Sequence, residues 1–145
     1  MQARAEQLAD LADLVSAVAR ALKAHVSTDA TVFDLSVTEV TVLRYIDHHP
    51  DVSPSAVAAA TGLQRSNLSR ALRDLEAKGL VRRATDPTDS RQMVLHSTDL
   101  AFENLARVRA IWARLFDEAL EASGDKVDIA AALPLLRALE RGLYA

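Results

Sequence analysis

Between Arg65 and Arg73 the chain carries Arg65, Ser66, Asn67, Ser69, Arg70 and Arg73, residue types that read or hold nucleic acid. Asparagine can pair with adenine, and arginine with guanine, through two hydrogen bonds each, so Ser66, Asn67 and Arg70 suit base edges. Arg65 and Arg73 suit phosphates, as do Arg82 and Arg83 further on. Ser53 and Ser55, at the start of a helix, can hold a phosphate on backbone amides and hydroxyls. The stretch "DPTDSR" then sets Arg91 at the end of a polar turn, two residues after Asp89. A guanidinium there matches the negative potential of a narrow minor groove. A free Asp89 would be repelled by phosphate, but as the partner that orients Arg91 it has a purpose. The competing readings are a solvated helix face and an ordinary surface pair in a turn.

Charge distribution is compatible with the nucleic-acid reading and equally with a solvated helix face. The 145 residues carry a formal charge of −3. From Gly62 to Arg91, however, seven basic residues face four acidic ones, a local +3 that leaves −6 for the remainder. The other chemistries find little footing. With no cysteine, disulfides, thiolate metal sites and thiol redox sensing are excluded. His48 and His49 are adjacent and point in different directions on a helix, while His25 and His96 stand alone, so no metal ligand set forms. There is no glycine-rich phosphate loop and no serine or threonine beside a plausible base, which speaks against an enzyme and against a cofactor. The first segment is too charged for a signal peptide or a membrane span, so a cytoplasmic location is expected.

The elements that must position these residues follow from periodicity and caps. Composition is 50% hydrophobic with four glycines and four prolines, the usage of a mostly helical protein. A first helix is expected from about Ala3 to Val26 on Leu8, Leu11, Val15, Val18 and Leu22. Ser36 followed by Glu39 is a capping box opening a second, with Val40, Leu43 and Ile46 as its stripe and Pro50 as its stop. Ser53 and Pro54 start a short third helix, in which Ala58, Ala59 and Ala60 permit a close crossing, and Gly62 provides a tight turn. In the helix that follows at once, Leu68, Ala71, Leu72 and Leu75 face inward and leave the polar set towards solvent. Two short helices joined by a glycine turn make a helix-turn-helix.

"VRRA" and "QMVLH", the second by alternation of Met93 and Leu95, predict an antiparallel hairpin, a wing. Thr98 caps a long helix to about Ala122 with a stripe of Leu105, Val108, Ile111, Trp112, Leu115 and Leu120. A last helix from Val127 is expected to kink or restart at Pro134. The fold class is therefore mainly α with a small β-hairpin. A winged helix-turn-helix spans about residues 35–98, and residues 1–30 and 99–145 supply terminal helices. Their surplus apolar surface is best covered by a two-fold homodimer.

In "LSVTEVTVLRYI", "SPSAVAAATGLQRSNLSRALRDLEAKGLVRR" and the Asp-x-Arg of "DPTDSR", the chain resembles the MarR family of bacterial transcription regulators over nearly its whole length. The family follows its wing arginine with a Leu-Thr pair and then a glycine; here Ser97, Thr98 and Ala101 stand there, which implies altered packing at the strand end. The resemblance implies one MarR-like unit over 1–145, acting as a homodimer on a palindromic double-stranded DNA operator, more often as a repressor. It also implies a small aromatic or anionic effector bound between the dimer helices and the winged region, with Tyr45 and Trp112 as lining candidates. The same residues are explained as junction core. A winged helix that binds protein instead of DNA would need neither Arg91 at the tip nor Asn67 and Arg70 on the exposed face.

Overall fold

The computed structural model describes residues 1–145 as six helices and one hairpin. The order is α1 (Gln2–Ser27), α2 (Val37–His48), α3 (Pro54–Thr61), α4 (Arg65–Ala77), β1 (Val81–Thr85), β2 (Met93–Ser97), α5 (Asp99–Ser123) and α6 (Ile129–Leu143). Two compact units are distinguished, Met1–Trp112 and Ala113–Ala145, with α5 running from the first into the second. The mainly α architecture with a two-stranded antiparallel hairpin agrees with the expected class.

Local chemistry sets the helix starts as expected. Glu39 N donates to Ser36 Oγ at 3.1 Å and Ser36 N donates to Glu39 Oε1 at 3.2 Å, closing the capping box of α2. Ser53 Oγ accepts from Ala56 N at 3.2 Å, and Pro54 takes the first turn of α3. Gly62 ends α3 at φ 69°, a left-handed conformation that a side chain resists. Thr98 Oγ1 accepts from Ala101 N and donates to the Gly79 carbonyl at 2.6 Å, so it caps α5 and also ties that cap to the end of α4.

The core of the first unit gathers Val42 and Ile46 of α2, Val57 of α3, Leu68, Leu72 and Leu75 of α4, Leu80 just before β1, and Leu95 of β2. The stripe of α4 is the predicted one. That of α2 is rotated from the expectation: Val42 is fully buried and Val40 is 48% exposed. The cause is Glu39, buried beside Val42 at the edge of the core and paired with Lys78 Nζ at 2.6 Å. A charged residue at an inward position is invisible to an apolar pattern. In α3 the inward residue is Val57, with Ala58 half-buried and Ala59 and Ala60 exposed.

β1 and β2 pair from Val81 opposite Ser97 to Thr85 opposite Met93. The expected alternation of β2 is corrected, because Met93 is exposed while the neighbours Val94 and Leu95 are both buried. Successive strand residues point to opposite faces, so two buried neighbours mean that the middle of β2 is covered on both. Leu95 N also donates to the Val52 carbonyl at 2.8 Å, an isolated bridge that brings the segment before α3 to the hairpin.

The long helices depart further from their predicted stripes. In α5 the buried residues are Ala101, Asn104 and Val108. Leu105 and Trp112 are exposed. Asn104 Oδ1 accepts from Phe33 N at 2.9 Å, which fixes the segment between α1 and α2. In the second unit, α6 runs through Pro134 without restarting.

Candidate nucleic-acid interface

The exposed side of α4 presents Arg65, Ser66, Asn67, Ser69, Arg70 and Arg73, all accessible, because the helix spends its other side on Leu68, Ala71, Leu72 and Leu75. Arg65, Arg70, Arg73 and Arg82 make no ion pair within the chain. Four guanidiniums in one short segment are thus left without an acidic partner in the chain.

Two grooves flank α4. The larger, of about 570 Å³, lies between the start of α3, α4 and the wing, and brings together Ser53, Ser55, Arg65, Ser69 and Arg83 from the predicted set. Gln92, which sequence reasoning missed, lines it as well. The smaller, of about 300 Å³, sets Asn67 and Arg70 beside Ser36 and Thr38 at the start of α2. Thr38 was missed too, since α2 precedes the helix-turn-helix and only the fold brings its start to α4.

The wing tip is a closed polar loop. Asp86 N donates to the Gln92 carbonyl at 2.9 Å and Gln92 N to the Asp89 carbonyl at 3.0 Å. Asp86 Oδ1 accepts from Thr88 N and Thr88 Oγ1, and the backbone hydrogen bond foremost, then the hydroxyl, holds its carboxyl below the ordinary value. Asp89 Oδ1 accepts from Arg91 N at 3.0 Å and from Arg91 Nε at 3.3 Å, while the Arg91 side chain stays 90% exposed. Asp89 therefore directs Arg91 outward, as its spacing suggested.

Arg83 differs from its neighbour Arg82. Its Nε donates to Glu76 Oε1 of α4 at 2.6 Å. Tyr45 is half-buried against the core and stacks on His49, ring centroids 4.0 Å apart, while Trp112 is 36% exposed on α5. Neither aromatic lines either groove beside α4.

A short helix, a glycine turn, a second helix with an exposed arginine-rich face and a hairpin with an arginine at its tip define a winged helix-turn-helix. Residues 33–92, which span the helix-turn-helix, β1 and the wing tip, match the model of the MarR family. A Thauera aromatica protein assigned to transcriptional regulation of the hcr operon is 40% identical over 67 residues. That match takes in 46% of this chain and 40% of the relative, so the chain spans less than half of that protein's length. Over 97% of both chains, the structure is similar to that of a protein from Pseudomonas aeruginosa PA01 assigned to the transcriptional regulators, with 29% identity and a TM-score of 0.76. FabT of Streptococcus pneumoniae, solved in complex with DNA, shares the fold at 20% identity and a TM-score of 0.60, covering 97% of this chain and 92% of its own. The Thauera and Pseudomonas proteins are thus both assigned to transcriptional regulation. No helix is long and apolar enough to cross a membrane.

Proposed function

We propose that the chain is a sequence-specific, double-stranded DNA-binding transcription regulator that acts as a homodimer on a palindromic operator. The observation that carries this reading is the set of unpaired arginines, Arg65, Arg70, Arg73 and Arg82, on the same winged segment as an outward-held Arg91. FabT bound to DNA supports it by fold. Ser66, Asn67 and Arg70 read base edges, Arg65, Arg73, Arg82, Arg83 and the α3 start hold phosphates, and Arg91 enters the minor groove. Repression, by exclusion of polymerase, is the regulatory outcome. A small aromatic or anionic effector modulates it by changing the spacing of two winged units. Trp112, the single tryptophan, then reports that change by fluorescence. The deciding experiment is selection of duplexes from a random pool by the pure protein, followed by a salt titration. Recovery of an inverted repeat whose binding weakens steeply with salt supports the reading; recovery of no common sequence refutes it.

A further inference from the structure

Glu76 is an acidic residue on the helix proposed to enter DNA, and charge alone makes it a liability there, since phosphates repel a carboxylate. Its geometry shows another use. Glu76 Oε1 accepts from Arg83 Nε at 2.6 Å, with the two side chains 27% and 35% exposed, so helix α4 is joined to strand β1 through this pair. Only Nε is engaged. The two terminal nitrogens of Arg83 keep their protons free, and Arg83 lines the groove that also holds Ser53, Ser55, Arg65 and Gln92. The same pattern recurs at the wing tip, where Asp89 takes Nε of Arg91 and leaves its outer end open. Arg82, one residue away, has no such partner.

An arginine held by Nε alone is fixed in direction yet still presents a parallel pair of N–H donors, the fork that matches two phosphate oxygens. A free arginine loses rotamer entropy when it binds; one already held loses less. We propose that Glu76 is a positioning residue for DNA binding: it holds Arg83 across the groove between α4 and the wing so that the guanidinium end clamps a backbone phosphate. This rests on the DNA-binding reading above.

The proposal predicts the sign of an effect that simple electrostatics predicts the other way. Binding of a fluorescein-labelled duplex of random sequence is measured over a series of salt concentrations for wild type, Glu76→Ala, Glu76→Gln, Arg83→Ala and the Glu76→Ala/Arg83→Ala double variant. Arg83→Ala should weaken binding about tenfold and lower the salt slope by about one phosphate. Glu76→Ala should weaken it about threefold although a negative charge is removed. Glu76→Gln, which keeps an acceptor for Nε, should restore binding. Once Arg83 is gone, removing Glu76 should no longer weaken binding and should strengthen it slightly, since only repulsion remains. Melting curves show whether each variant is folded at the assay temperature, and Glu76→Gln serves as the probe if the alanine variant is not. Then binding by Glu76→Gln equal to wild type, together with the Arg83→Ala loss of salt slope, supports the clamp. Tighter binding by Glu76→Ala or Glu76→Gln than by wild type, or an unchanged salt slope in Arg83→Ala, overturns it. If the wild type itself binds no duplex in a salt-dependent way, the DNA-binding reading fails and this inference with it.

Discussion

At the level of single residues, helix α4 and the wing tip hold arginines in different states, and the difference should be measurable. Arg70 is exposed, unpaired and beside Asn67 in the groove next to α2. Replacing it with alanine should cost about 1 to 3 kcal/mol on a selected operator and relax preference at one position of each half-site. Arg91 is held outward by Asp89, and its favoured environment is a groove of high negative potential. Arg91→Ala should therefore weaken binding mainly where the flanking sequence is A/T-rich, with Asp89→Ala a weaker copy of it. Binding of the three variants to one operator with A/T or G/C flanks, at fixed salt, separates the two modes. If Arg91→Ala matches wild type on both, the wing arginine is an ordinary surface residue.

The elements that carry those residues are stabilised by features that single substitutions can probe. Gly62 closes α3 at φ 69°, and a Cβ there would meet nothing within 4 Å. Gly62→Ala should therefore lose about 1 kcal/mol through backbone strain alone, with Gly62→Asn losing less in thermal melts. Glu39 ties the start of α2 to the end of α4 through Lys78. Burial acts to raise its pKa, but the hydrogen bonds from Lys78 and Ser36 outweigh it and hold the carboxyl below the ordinary 4.5. A lowered carboxyl pKa contributes stability that is complete above the unfolded value and fades as pH falls through the folded one. Glu39→Ala should cost about 2 kcal/mol at neutral pH, and its gap in melting temperature from wild type should narrow only below pH 4.5. A gap that stays constant in acid would assign the loss to packing.

For the whole molecule, the question is what covers the terminal helices. In α1, Leu8, Val15 and Val18 are exposed; in α5, Leu105 and Phe116; in α6, Leu133 and Leu136. Apolar surface of this extent on long helices is what a two-fold partner buries. Sedimentation should find a dimer at micromolar concentration. In the proposed dimer on DNA, the two α4 helices should meet successive major grooves, about 34 Å apart. Removing the chain from Val127 onward should abolish dimers and specific DNA binding together. Specific binding by a truncated monomer would place the determinant of operator recognition within one winged unit.

The sequence by itself determined the elements and their ends, because caps, prolines, glycine turns and helical periodicity act over a few residues. Ser36 with Glu39, Ser53 with Pro54, Gly62, and the Leu68, Leu72 and Leu75 stripe are all of this local kind. The outward set on α4 was legible for the same reason, since an inward stripe on a helix fixes what faces out. Only the tertiary structure decided the rotation of α2 that exposes Val40, since that depends on Glu39 finding Lys78 from another helix. It likewise decided that Val94 and Leu95 are both buried, since burial on each face of a strand depends on what packs against it. Glu76, one of the four acids between Gly62 and Arg91, meets its partner Arg83 only through the fold. Pairings of this sort are fixed by distances between elements, and no spacing along a single element encodes them.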